Sequence, residues 1–223
     1  MGSADERIGN VKFEDISSSP YLKPIRMHFD RQSRKLFWDL AIEKDSVTCI
    51  IFHKAKDSLL FVKQFRPPVF IRKVRGLPEN EGKKVEDIKF ENYPLNIGET
   101  IELCAGLMDK PNLGPLETVQ EEILEECGYK VEKEKIKFIR KNISNVSISG
   151  SFSHLFYTAV DESEKVSEGG GNAFEGEFIQ KVFLTIEETR EYVKKEETFS
   201  PPGFLYAVNW FLDLYDKGEL PEL

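Results

Sequence analysis

The chain has 223 residues, enough for one large domain or for a domain with an appendage. With 40% hydrophobic and 31% charged residues its composition is that of an ordinary globular protein, and no apolar run approaches the ~20 residues that span a bilayer. A net charge of −8 argues against general nucleic-acid binding, which relies on basic surface, but admits a small anionic substrate met by local positive charge or bound metal.

In chain order, the first forty-odd residues are polar at the start and then alternate apolar and polar around Ile25 to Phe29 and Leu36 to Leu40. That pattern predicts a β-hairpin, too short to fold alone and expected to rest on the main domain or on a second subunit. Residues 1–44 are therefore taken as an N-terminal extension and 45–223 as the main domain. SVTCIIF (Ser46 to Phe52) and LLFV (Leu59 to Val62) predict a second hairpin that opens this domain. Ile71 to Thr100 is charged, carries Pro78 and Pro94, and is read as a long insertion. Glu102 to Cys104 reads as a strand end and Ala105 to Gly114 as a loop.

Pro115 suits a first helical turn and Gly128 a C-terminal cap, with Leu116, Val119, Ile123 and Cys127 forming an apolar stripe between them. Strands are predicted at Lys137 to Arg140, Leu155 to Val160 and Phe178 to Leu184. A mobile acidic loop is predicted over Asp161 to Gly176, and helices over Ile186 to Lys195 and Phe204 to Tyr215. This mixed order of strands and helices points to an α+β or α/β sandwich. Cys49, Cys104 and Cys127 lie in apolar segments without CxxC spacing and read as buried thiols. With an N-terminus unlike a secretory leader, they set the expectation of a cytoplasmic protein without a membrane partner.

Chemistry is carried by the stretch from Glu102 to Tyr129. Glu122, Glu125 and Glu126 stand three and four apart on the predicted helix, within one arc of its surface. Like charges so placed repel, and a divalent cation offsets that repulsion. A strand, an irregular loop and a capped helix hold such oxygen ligands rigidly, as a hard cation requires.

The run EEILEECGY resembles the end of the Nudix hydrolase signature, G-x5-E-x7-R-E-U-x-E-E-x-G-U with U apolar, and Gly106 supplies the leading glycine. The loop is one residue longer, with Asn112 or Leu113 where the first glutamate stands in the family, and Glu121 fills the arginine position. In the family those two residues commonly pair and brace the loop. Both are replaced here, so neither is left as an orphaned charge. ELCAG resembles the ELPAG segment of the ADP-ribose and nucleotide-sugar pyrophosphatase branch, and LFVKQFRPPV resembles its V-x-Q-x-R-x-P stretch.

The resemblance implies an α+β fold of the Nudix α/β/α sandwich type, with a mixed sheet plus the N-terminal hairpin. It implies Mg²⁺, with Mn²⁺ as a substitute, held by the Ala105 carbonyl, Glu122, Glu126 and Glu177, and substrate contact by Arg66. The late Glu175-Gly176-Glu177 implies Glu175 as the catalytic base, with Glu125 as runner-up. The implied activity is hydrolysis of a nucleotide-sugar diphosphate, UDP-glucose giving UMP and glucose 1-phosphate. The alternatives are ADP-ribose cleavage to AMP and ribose 5-phosphate, and a degenerate module that binds without turnover. A homodimer formed through the hairpin is also implied. His28, His53 and His154 lack metal-ligand spacing, and Trp38 and Trp210 read as packing residues.

Overall fold

A computed structural model describes residues 6–223, with Glu175 described by its backbone alone. Among these residues, β1 (Leu22–Arg31) and β2 (Arg34–Glu43) form the expected hairpin, paired from Leu22 opposite Glu43 to Arg31 opposite Arg34. Its two-residue turn, Gln32-Ser33, has φ of 51° and 62°, the primed geometry that matches the twist of the flanking strands. Trp38 Nε1 donates to the Ser147 carbonyl at 2.9 Å and Ala41 N to the Ile148 carbonyl at 3.0 Å, which ties the hairpin to the 144–150 loop.

The main domain is built on a mixed sheet. β3 (Ser46–His53) and β4 (Ser58–Phe65) form the second expected hairpin, but they pair only at its closed end, from Ile51–Leu60 to His53–Ser58. Their open ends splay and admit one chain segment between them. Its first half, β5 (Glu99–Glu102), pairs with β4, and its second half, β6 (Cys104–Leu107), pairs with β3. The expected loop from Ala105 thus begins later, because Ala105 to Leu107 have β3 as a partner. β8 (Phe152–Val160) runs parallel to β3 along its whole length, and β7 (Lys137–Ile143) lies antiparallel beyond it. β9 (Gln180–Thr185) closes the other side on β4.

Both faces of β3 are buried, which is why its sequence reads as a near-continuous apolar run. Val47, Cys49 and Ile51 face one core with Val119, Ile123 and Cys127. Ile50 faces the other, with Phe204, Val208 and Phe211. The first core lies under α2 (Pro115–Glu122), the second under α3 (Ile186–Val193) and α4 (Pro202–Lys217), giving the α/β/α sandwich. Thr185 and Glu188 cap α3 reciprocally: Glu188 N donates to Thr185 Oγ1 at 3.2 Å and Thr185 N to Glu188 Oε2 at 2.9 Å.

Two expectations need correction. The insertion begins with a helix, α1 (Pro67–Arg75), in which Pro67 and Pro68 sit in the first turn, where no amide donor is required. Phe70 and Val74 on its inner face join Ile88 and Phe90 in a third small core. The glutamate helix is not α-helical throughout. After Glu122 it widens into a π-helical turn, Ile123–Cys127, that ends at left-handed Gly128.

The Asp161–Gly176 stretch accounts for that turn. Far from hanging free, it donates Gly170 N to the Glu126 carbonyl at 2.9 Å and Gly171 N to the Glu125 carbonyl at 3.2 Å. Val166 N reaches the Gly128 carbonyl at 2.9 Å. Gly128 (φ 80°) and Gly169 (φ 64°) meet so closely that a Cβ on Gly169 would overlap the Glu126 carbonyl, and one on Gly128 the Ser167 carbonyl. No described helix is long and apolar enough to cross a membrane. We expect Gly169→Ala to destabilise the protein by about 1–3 kcal/mol, the cost of a strained left-handed residue with nowhere to move. Urea unfolding tests this; an unchanged midpoint would refute it.

Candidate active site

Strand β6 and the π-helical turn lie side by side. Glu126 is almost wholly buried, and its Oε2 accepts the Ala105 amide at 3.0 Å. Glu122, half-buried one turn earlier, lies flat against Gly106, where any Cβ would overlap its carboxylate. The leading glycine of the signature is therefore required here for space and not for φ.

Burial pushes the Glu126 carboxyl up to about 8, despite hydrogen bonds from the Cys104 thiol and the Ala105 amide that favour its charged form. The charges of Glu122 and Glu177 add to the rise. Burial likewise pushes Glu122 up to about 7, reinforced by Glu125 and Glu177 and opposed by Lys110. The structure thus gathers Glu122, Glu126 and Glu177 within each other's fields, with Glu125 exposed at the edge. Among the described residues, no three acidic, histidine or cysteine side chains converge into a ready cage. The side chain of Glu175 lies outside those residues; its backbone closes a short turn, Ala173–Glu175, capped by Asn172.

The donor set suits a hard divalent cation. Burial and neighbouring carboxylates raise the pKa of Glu122 and Glu126 while the protein supplies little opposing charge, and a cation of charge two removes that cost directly.

Arg66 ends β4 at the same site. Its Nε and Nη2 donate to Glu102 Oε1 and Oε2 at 2.8 and 2.7 Å, and Thr100 Oγ1 donates to Glu102 Oε1 at 2.6 Å. Burial works against the Glu102 charge, but the bidentate guanidinium and the Thr100 hydroxyl outweigh it and hold the carboxyl below its ordinary range. Arg66 is raised mainly by this pair and also feels Glu126 and Glu177. Its side chain stays 43% exposed, and Nη1 makes no hydrogen bond among the described residues.

No family model matches the chain. It is, however, 33% identical over 217 residues to the uridine diphosphate glucose pyrophosphatase NUDT14 of Bos taurus, covering 96% of this chain and 98% of that protein. To the protein of the same name from Mus musculus it is 32% identical over 210 residues, 92% of this chain and 95% of that one.

This chain is a Nudix hydrolase. A GDP-mannose pyrophosphatase of Pectobacterium atrosepticum is more distant, 26% identical over 144 residues, 65% of this chain and 61% of that protein.

Two features of this Nudix site were not foreseen. Glu102 was given no role in the sequence. The signal was there, because Thr100, Glu102 and Cys104 alternate onto one buried side of a strand, and a carboxylate so placed needs a partner. The loop-bracing pair, expected to be missing, is replaced by one of opposite polarity. Lys110 Nζ in the loop meets Glu121 Oε2 on α2 at 2.5 Å.

The raised carboxyls predict how metal-free protein responds to pH. In the native state Glu122 and Glu126 keep protons until about pH 7 and about 8, whereas unfolded glutamates lose theirs near 4.5. The native state therefore binds more protons across that window, and stability falls as pH rises through it. In EDTA, the thermal midpoint of wild type minus that of Glu122→Gln/Glu126→Gln should drop between about pH 5 and about pH 8.5, and Mg²⁺ should abolish the drop. A flat or rising difference would refute the assignment.

Proposed function

We propose that this Nudix hydrolase cleaves the diphosphate of nucleoside diphosphate sugars, with UDP-glucose giving UMP and glucose 1-phosphate. The observation that carries the proposal is the burial of Glu122 and Glu126 against Gly106 and Ala105, where burial first and neighbouring carboxylates second raise the pKa of both. The names of the two animal relatives supply the substrate class. Glu122, Glu126, Glu177 and the Ala105 carbonyl would hold Mg²⁺, or Mn²⁺ in its place. Bound there, the metal neutralises the diphosphate and lowers the pKa of the attacking water.

The remaining work falls to the chain itself. Arg66, fixed edge-on by Glu102, offers its open Nη1 to a phosphate oxygen, so the diphosphate meets a guanidinium whose plane is already set. Water attacks one phosphorus, the bridging P–O bond breaks, and the leaving phosphate takes the bond's electron pair. Glu175 accepts the proton of the attacking water, with Glu125 as runner-up. The backbone turn that carries Glu175 follows directly on the Gly169–Gly171 segment docked on the π-helical turn.

We read residues 1–44 as the extension that makes a homodimer. Met27, Leu36, Trp38 and Ile42 lie exposed on one face of its hairpin, an apolar surface of the kind that marks an interface, and Phe37 is exposed on the opposite face. We place the enzyme in the cytoplasm, as the buried free thiols of Cys49, Cys104 and Cys127 suit a reducing compartment.

Incubation with UDP-glucose and Mg²⁺ should yield UMP and glucose 1-phosphate, at a kcat/KM above that for ADP-ribose. Glu126→Gln should lower kcat on the order of 100-fold or more, since several kcal/mol of charge stabilisation are removed. Turnover of neither substrate at any Mg²⁺ concentration would sink the proposal. For the dimer, sedimentation should show two chains for wild type and one for Met27→Glu/Phe37→Glu; a monomeric wild type would contradict it.

A further inference from the structure

A cavity of about 640 Å³ opens beside the carboxylates, lined by Arg66 and Glu177 on one part of its wall. That volume exceeds what a diphosphate needs and falls in the range of small-molecule sites. Its remaining wall is unusual in origin. Phe178, 75% exposed, and Asn96 come from segments outside the signature, and Glu6, Arg7 and Ile8 come from the far N-terminus.

The described residues that precede the hairpin lie against the main domain. They form a strap fastened to the insertion: Leu95 N donates to the Glu6 carbonyl at 2.8 Å, and Val11 N to Glu91 Oε1 at 3.3 Å. Ile8 and Val11 rest on the core of Phe70, Val74, Ile88 and Phe90, and the Phe13 ring lies 5.6 Å from that of Phe90. The strap is thus held in place by contacts with residues far later in the chain, from Phe70 to Leu95.

Three cations line the cavity, and two of them are already ion-paired. Arg66 is paired with Glu102, and Lys63 with Glu99 at 2.6 Å. Arg7 makes no ion pair among the described residues. It hydrogen-bonds through Nη1 to the Asn92 carbonyl, which fixes one end of the guanidinium and leaves its other donors for a ligand.

We propose that the strap Glu6–Ile8 is the specificity wall for the nucleoside half of the substrate, with Arg7 donating to a carbonyl oxygen of a uracil base. This deepens, and rests on, the nucleotide-sugar reading above. A guanidinium is donor-only. Uracil offers two carbonyl oxygens as acceptors, whereas adenine carries no carbonyl and sets an amino donor, which repels a guanidinium, beside its ring-nitrogen acceptors. The exposed Phe178 ring supplies a face for the base to lie against.

The test is steady-state kinetics of the full-length Mg²⁺ enzyme with UDP-glucose and ADP-ribose, for wild type and for Arg7→Ala and Arg7→Gln, with thermal midpoints as a check on folding. Removing one charge-assisted hydrogen bond should raise KM for UDP-glucose roughly ten-fold, the effect lying in KM and not in kcat, and leave KM for ADP-ribose unmoved. Unchanged KM for both substrates would overturn the inference, and so would an equal rise for both, which would make Arg7 a phosphate contact. Absence of wild-type turnover would instead overturn the hydrolase reading. Calorimetric titration with UMP and AMP then decides the inference alone: it stands if Arg7→Ala weakens UMP and spares AMP, and falls if wild type binds neither.

Discussion

The arrangement of this site depends on burying two like charges against one strand. A solvated carboxylate has no need of its neighbours, but Glu126 is almost wholly enclosed and Glu122 half-buried, and burial with nearby carboxylates makes both resist ionisation. Holding them there imposes conditions outward through the fold. Gly106 must lack a Cβ so that Glu122 can lie on its backbone. The Ala105 amide must turn from sheet pairing to Glu126. The helix must widen after Glu122, and the carbonyls of Glu125 and Glu126 find donors in Gly171 and Gly170. Those donors approach only because Gly128 and Gly169 are both left-handed and both without side chains. A chain of close backbone contacts therefore runs from the late loop to the carboxylates, and it fixes where Glu177 begins.

Charge near the site is distributed with the same economy. Arg66 and Glu102 are a nearly complete ion pair, so together they contribute orientation and little net charge. Lys110 is closer to a true counter-charge. It lowers the Glu122 carboxyl while its ammonium is held by Glu121. Being exposed, that pair contributes little to stability. Its consequence is geometric, since it joins the loop after β6 to the last turn of α2. Reversing the polarity of such a brace keeps it attractive, because attraction between the two side chains does not depend on which of them carries the positive charge.

Much of the fold could be read from the sequence because burial leaves a period. The two hairpins, the parallel core strand Leu155 to Val160 and the apolar stripe of Leu116, Val119, Ile123 and Cys127 all lie where periodicity placed them. The failures have local physical causes. Helix α1 was hidden because Arg66-Pro67-Pro68 reads as a turn, yet proline in a first helical turn costs nothing. The π-helical turn leaves no periodic trace, and the amides that meet its last carbonyls come from the Gly169–Gly171 segment more than forty residues away. Ala105 to Leu107 look like a loop because a four-residue strand is too short to show alternation. In the site, Glu122, Glu126, Arg66 and Glu177 were singled out by motif, and the structure brings them within each other's fields. Glu102 and Arg7 escaped because their significance comes from partners distant in sequence, Arg66 for the one and the Asn92 carbonyl for the other.

That difference follows the division of labour within the molecule. The carboxylates lie on one contiguous stretch, Ala105 to Glu126, whose spacing is dictated by a helix and a strand; only Glu177 is remote. The cavity has no such backbone logic. Its walls come from β4, the insertion, the late loop and the N-terminal strap, and the insertion joins them. Gly98 accepts the Arg66 amide at 2.9 Å and Leu95 donates to Glu6 at 2.8 Å, so one short turn positions both Arg66 and the strap. Changes in the strap can alter the shape of the cavity without passing through the carboxylate cluster. Changes at Leu95 to Gly98 reach both. Substrate choice can therefore vary while the chemistry stays fixed, provided that variation falls on the strap and spares the turn that holds it.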